Sequence, residues 1–429
     1  MNNENTQQDT QGRQQLESYV TKRAEVDLSI EVVLLIIGGV FFLLFGVLLF
    51  LINKGMLPYS EDSMYGLFVV LVSMQIITMG KTPFGDLLRS WVVVIIGLGT
   101  AILGTLAIFF PGHLSVTIRV LAGLIVLITG TLGLLQLFTS KNKARTWMKV
   151  PGILQQLTVA CAVVYGIEVV LGIITLLPGI VPNPLTAVIL VIFGAGIFFL
   201  AWCIHEANRQ YRPGNEKKVP PPPRSERGIC LFRDATLTVG NTFNTYQGIL
   251  LTLLGFLVLF MILGIFPSYN TDGQFGLLLV LTSLQLLALG QFVGSQMTRS
   301  WVVITLGILF AGAGIFSCIV PGMLTGMIQT FLGLLNIIGG ASSLIRRYAP
   351  MPHKSRVSAS APSPVPPTVR KLMLTQTVLN LVTVVFGVSM LVPSLVSGLV
   401  VAGILVVNGL LLFALASLLQ ELTRMQPSG

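Results

Sequence analysis

The stretch RSWVVVIIGLGTAILGTLAIFFPG, residues 89–112, returns as RSWVVITLGILFAGAGIFSCIVPG at 299–322, an offset of 210 with no gap. Each copy opens on a basic residue and a tryptophan, which favour a membrane–water boundary. Each continues as an apolar run near the ~20 residues that a helix needs to cross a bilayer. Each closes on Pro-Gly, which ends a helix and starts a turn. Either copy alone reads as a transmembrane helix, and the two at a fixed offset read as an internal duplication.

The repeat extends in both directions. Upstream, Ser73 and Gln75 match Ser283 and Gln285 at the same offset, and downstream HEANR at 205–209 parallels QELTR at 420–424. Apolar runs long enough to cross a membrane begin near residues 30, 64, 91, 114, 153 and 184, then near 247, 275, 301, 323, 372 and 396. Composition agrees: of 429 residues, 53% are hydrophobic and 10% charged, against about 25% charged in a soluble domain. The expected fold is an all-α polytopic membrane protein of about twelve transmembrane helices, arranged as two parallel six-helix repeats. Because six is even, both repeats share one orientation, with a pseudo-twofold axis along the membrane normal. Each repeat divides into three hairpins with proline in the outer turns: Pro58, Pro111 and Pro178, then Pro267, Pro321 and Pro393.

The units follow. Residues 1–29 are a polar tail and 30–205 the first repeat. Residues 206–246, with four prolines at 220–223, read as a basic, extended linker. Residues 247–424 are the second repeat, containing a Pro- and Ser-rich linker at 346–371 expected to be mobile, and 425–429 are a short tail.

Net charge is +10. In a soluble protein this would suggest nucleic acid, but here orientation in the bilayer accounts for it. With both termini cytoplasmic, 24 of the 26 Lys and Arg fall on the cytoplasmic side, leaving Lys54 outside and Arg119 within a span. Trp91, Trp147, Trp202 and Trp301 fall near the inner boundary. The expected location is the plasma or inner membrane, with the lipid bilayer as partner and no nucleic acid. The polar start MNNENTQQDTQGRQQ carries no apolar core and reads as no cleavable signal. Cys161, Cys203, Cys230 and Cys318 have no paired spacing, so neither a disulfide framework nor a metal site is expected.

Within the spans, Gly97, Ala101 and Gly104 map onto Gly307, Ala311 and Gly314. Small residues at this spacing let helix backbones approach closely, which is how membrane helices gain dispersion contacts. Gly123, Gly130 and Gly133, then Gly333, Gly339 and Gly340, extend the pattern. The packing reading is preferred to a hinge or passage.

Intramembrane charge is the sharper clue. Arg119 lies about 10 Å below the outer turn counted from Gly112, and Glu168 about 15 Å below it counted from Pro178. An Arg119–Glu168 ion pair between the fourth and fifth spans is therefore expected. The second half carries Gln329 and, by local alignment, Ser389 at these places. A structural pair, or a snorkelling Arg119, is preferred to an ion or proton role. Gln75 and Gln285 recur in the second span of each half, either as interhelical hydrogen bonds or as symmetric ligands of a central cavity. Asn336, Asn380, Asn408, Gln155 and Gln376 take the hydrogen-bonding reading. His113, His205 and His353 form no cluster. The basic linkers offer contact with anionic lipid, beside their simpler role in enforcing topology.

The pattern R-S-W, a Gly-spaced apolar helix, F-P-G and a second Gly-rich helix resembles the HdeD-like family of membrane proteins. It is clearest over 89–138 and 299–345. That resemblance implies six-helix bundles built from hairpins and a connection to acid or membrane stress, and it brings no catalytic or transport residues. Its usual pattern has one six-helix unit, whereas this chain has two.

No phosphate-binding loop, nucleophile–base pair or metal-ligand cluster is present, so no enzyme and no cofactor is expected. The first functional reading is a structural or stress-related membrane protein. The alternative is a secondary transporter of six-plus-six layout. Against it, the loop GKTPFGDLLRS at 80–90 only loosely resembles the major-facilitator loop, and its copy GQFVGSQMTRS at 290–300 lacks the acid. An intramembrane enzyme ranks third. The sequence assigns no oligomeric state.

Overall fold

Helices of 19 to 28 residues dominate, and at 1.5 Å per residue they are ~28–42 Å long, enough to span a bilayer. The computed structural model describes residues 28–79, 81–82, 85–86, 91–139, 147–149, 152–211, 239–266, 270–289, 291–292, 295–296, 301–348 and 367–425. The first half contains α1 (Ile30–Asn53), α2 (Glu61–Met79), α3 (Trp91–Phe109), α4 (Ser115–Thr139), α5 (Ile153–Leu176) and α6 (Asn183–Gln210). The second contains α7 (Val239–Ile262), α8 (Thr271–Leu289), α9 (Trp301–Ile319), α10 (Thr325–Tyr348), α11 (Pro367–Leu391) and α12 (Gly398–Met425). Eleven of the twelve are long and apolar enough to cross a membrane. The one left out is α2, whose first turn is Glu61-Asp62; its counterpart α8 is among the eleven. The chain is an all-helical, multi-pass membrane protein of two six-helix repeats. Small antiparallel ladders, β1 (Lys81–Thr82) with β2 (Gly85–Asp86) and β3 (Gln291–Phe292) with β4 (Ser295–Gln296), join α2 to α3 and α8 to α9.

The end holding the start of α1 and the end of α12 is called the near end below, and the opposite end the far end. Large apolar side chains point outward along the spans, among them Ile95, Ile128, Leu309 and Ile338, each more than half exposed. Such an apolar girdle needs lipid tails around it.

Pro58, Pro111, Pro178, Pro321 and Pro393 sit in the far-end turns as expected, and Pro267 lies outside the described residues, yet the closest helix pairs are the other neighbours. Within the first half α2 packs most tightly on α3, α4 on α5 and α1 on α6, and the second half repeats this with α8/α9, α10/α11 and α7/α12. Glycine is the reason. A Cβ on Gly66 would lie 2.5 Å from the Gly104 carbonyl oxygen, and one on Gly276 2.6 Å from that of Gly314. Gly97 meets Ile77, and Gly307 meets Leu287, at the equivalent places. Ala101 and Ala311 are fully buried. The small residues of α3 and α9 are thus seams against α2 and α8. The α4/α5 pair closes on Gly130 and Gly172, and α1/α6 on Gly39 and Gly194.

The two halves meet through α1, α2 and α3 against α7, α8 and α9, in reciprocal pairs. At the far end the Ser60 amide donates to the Ile319 carbonyl at 3.0 Å, and the Asn270 amide to the Phe109 carbonyl at 3.0 Å. These are one contact made twice by residues 210 apart, the signature of a twofold interface. Deeper in the interface the Tyr246 hydroxyl donates to the Val70 carbonyl (2.8 Å) and lies 2.7 Å from Ser73 Oγ, fully inside the protein.

Two expected boundaries shift. Helix α6 runs on to Gln210 and α7 begins at Val239, so part of the 206–246 linker is helical. Two polar residues of the expected linker, Thr242 and Asn244, are buried in the bundle. Likewise α10 runs to Tyr348 and α11 starts at Pro367, narrowing the 346–371 linker. Residues 1–27, 212–238, 349–366 and 426–429, with Cys230, His353 and the polyproline run, lie outside the described residues.

Candidate functional site

Six helices closed by glycine seams leave space along their own axis, and each half encloses a cavity there. In the first half α1, α2, α4, α5 and α6 surround ≈300 Å³ of largely apolar space. Its polar groups are Gln75, Thr129, Gln136, Tyr165 and Glu168. In the second half the corresponding helices α7, α8, α10, α11 and α12 surround ≈230 Å³. Here Asn244, Gln247, Gln285, Asn336, Gln376 and Asn408 turn inward, with Thr282 and Thr383. Gln75 and Gln285 therefore occupy equivalent places in separate cavities and share no central one. The Gln285 amide donates to Gln247 Oε1 at 2.5 Å, and position 37, equivalent to Gln247, is Ile37. The duplicated glutamines thus keep their position and have diverged in surroundings.

The expected Arg119–Glu168 ion pair does not form. Glu168 Oε1 accepts a hydrogen bond from Thr129 Oγ1 at 2.6 Å, while Arg119 Nη1 lies 3.8 Å from Glu61 Oε1. The register of α4 on α5 explains this. Gly130 is the residue packed against Glu168, and Gly123 faces Leu176, the last residue of α5. Arg119 stands eleven residues before Gly130, ~16 Å along the axis at 1.5 Å per residue. Depths counted from Gly112 and from Pro178 have different origins, because the first turns of α4 project past the end of α5.

The register also corrects a pairing between halves. Gly172 packs on Leu127 and Gly387 on Ile337, so α5 aligns with α11 at an offset of 215. The counterpart of Glu168 is then Thr383, buried and lining the second cavity, rather than Ser389, which bonds its own helix at the Phe386 carbonyl. Gln329, in the place of Arg119, donates to the Met390 carbonyl at 2.9 Å. Of the other amides, Asn336 donates to Leu332 of its own helix (2.7 Å), Asn380 to Ser343 Oγ (3.0 Å), and Gln376 accepts from Arg347 (2.7 Å).

A third space, ≈270 Å³, lies at the far end of the first half. A cluster of rings separates it from the apolar cavity: Phe42 stands 4.7 Å from Phe193 and 5.5 Å from Phe68 between centroids. Its floor is apolar and its mouth carries Tyr59, Glu61, Tyr65, Arg119 and Asn183. The apolar surroundings first, then Tyr65, Glu61 and Asp62, hold the Tyr59 phenol above its usual range, although the residue is 36% exposed. It stays a neutral donor at physiological pH.

One repeated feature was missed from the sequence. Asp62 is 5% exposed and accepts from the Gly112 amide and from Ser115 Oγ (2.7 Å). Asp272, 210 residues on, accepts from the Gly322 amide (2.9 Å) and from the Thr325 hydroxyl. Each acid ties the second helix of its half to the Pro-Gly turn and to the hydroxyl of the fourth helix's first residue, Ser115 or Thr325, where the helix dipole favours negative charge. Gly112 and Gly322 sit at φ +91° and +86°, a conformation open to glycine at little cost.

The profile of a short repeat of unknown function (DUF308) matches residues 95–165 and again 305–357. Both matches start at equivalent positions and run over the α3–α4 and α9–α10 units that the Asp-to-Gly bonds hold together. No curated protein and no solved structure matches the chain.

Proposed function

We propose that the chain is a non-catalytic membrane protein of the HdeD-like, stress-related type, whose two halves work as one fixed body in the plasma or inner membrane. In this reading the near end is cytoplasmic, in keeping with Lys81, Lys149, Arg346, Arg347, Arg370 and Lys371 at that end. The observation that carries it is the seam between the halves. It is bonded backbone to backbone at the far end and filled by Tyr246 at depth, while Gln75 and Gln285 open into different cavities. A rocking six-plus-six transporter needs its site between the halves.

The test uses cells lacking the chain, challenged by acid and by membrane-perturbing agents, and rescued with S63C/N270C. The Asn270 side-chain Nδ2 already donates to Ser63 Oγ across the seam at 2.9 Å. Survival under oxidising conditions equal to wild type is the expected result. Survival lost on oxidation and regained with reductant would favour moving halves, and an unchanged phenotype of the deletion would remove the stress reading. A second reading rests on the amide-lined cavity. Neutral hydrogen-bonding groups around ≈230 Å³ suit a small uncharged polar solute, carried within one half rather than between two.

A further inference from the structure

The far-end chamber of the first half has the two features of a site for an amphipathic anion. The floor, including Phe42, Phe45, Phe68, Leu171 and Leu190, is built of apolar side chains from α1, α2, α5 and α6. Arg119 stands at the mouth, and its Nε is buried with no hydrogen-bond partner. A buried guanidinium nitrogen left unpaired is costly. Glu61 leaves it so, because it approaches only Nη1, at 3.8 Å, from a side chain 44% exposed. Guanidinium binds carboxylate best through two parallel N–H donors, and the Arg119 side chain, 27% exposed, lines the chamber with only a long, exposed acid beside it. Tyr59 and Tyr65 add hydroxyl groups to the same chamber.

We propose that this chamber binds a single alkyl chain bearing an acidic head, with the head on the Arg119 guanidinium and the chain over the phenylalanine floor. The occupant is an acyl carboxylate or the equivalent part of an anionic membrane lipid. The second half has lost the site: Gln329 stands for Arg119 and spends its amide on the Met390 carbonyl. The chamber stops at the Phe42–Phe68–Phe193 cluster, so Glu168 and Thr129 beyond it take no part.

The experiment uses the full chain in phosphatidylcholine nanodiscs, titrated with decanoate, decanol or decyltrimethylammonium and followed by thermal unfolding and calorimetry. Decanoate should raise Tm in proportion to its occupancy, and decanol and the cation should do so much less. R119Q, which installs the second half's own residue, should weaken decanoate at least ~tenfold. E61Q, which frees the guanidinium without removing it, should strengthen it. Equal binding of decanoate and decanol, or decanoate affinity unchanged in both variants, overturns the site. If R119Q fails to fold, an unchanged affinity in E61Q overturns it alone. Phosphatidylglycerol in the disc identifies the source. Competition with decanoate that disappears in R119Q supports the site with a bilayer lipid as occupant, and decanoate binding that persists supports it with the free acid.

Discussion

Asp62 and Asp272 show what a single carboxylate does when a membrane protein has few polar groups to spend. Each ties a helix start to a turn two elements later, and each satisfies a backbone amide of that turn. Asp62→Ala is expected to cost about 1 kcal/mol, the usual net worth of a protein hydrogen bond, and Asp62→Asn less, since an amide oxygen can still accept. Thermal unfolding in mild detergent checks both, and a silent Asp62→Ala would mean that the turn holds without that acceptor. The signal was present in the sequence at the same 210-residue offset as Pro111-Gly112 and Pro321-Gly322. It was hidden because Asp62 sits beside Glu61 and reads as part of an acidic, solvated helix start. Arg119 and Glu168 failed in the opposite way. Their depth in the membrane was estimated, but whether two residues touch depends on register and helix face, and these came only from the glycines packed between α4 and α5.

Helix pairs are decided by where two glycines stand opposite each other. On α3 and α9 the small residues recur at intervals of three and four, so their role was legible from sequence. Their partners gave a weaker signal: Gly66 is the one glycine of α2, and on α8 only Gly273 stands at small-residue spacing from Gly276. The outer prolines that are described lie in turns, but a turn records which helices are consecutive, whereas a backbone contact records which are close. Gly66→Ala and Gly276→Ala should therefore destabilise by about 1–3 kcal/mol each, the usual cost of overpacking a site that cannot give way. A Cβ at either place meets a backbone carbonyl, which cannot swing aside. Gly166→Ala, where nothing lies within 4 Å, is the control and should be neutral or slightly stabilising. Equal effects at Gly66 and Gly166 would show that helix propensity, not the seam, sets the response.

At the level of the whole molecule the duplication behaves like a homodimer whose subunits have been joined. The reciprocal amide-to-carbonyl bonds at Ser60 and Asn270 are what an isologous interface produces. Fusion then let the halves diverge. Tyr246 reaches across to Val70 and Ser73, whereas Ile36 stands at the equivalent place; one cavity is apolar with a carboxyl, the other lined by amides. The duplication was legible because repeats survive as sequence identity. The cavities were not, because buried Asn244 looks like a linker residue until the helix around it is known. If the covalent link only joins two complementary bodies, residues 1–225 and 226–429 expressed as separate chains should copurify from the membrane. Tyr246→Phe should weaken that association by about 1 kcal/mol, the net worth of a buried hydrogen bond, leaving a roughly fivefold change in the split complex. Ser60 and Asn270 contribute only main-chain donors to their reciprocal bonds, so their replacement by Ala should leave those bonds in place. Halves that fail to copurify would mean that the seam forms only because the chain connects them, and the ancestral dimer would lose its support.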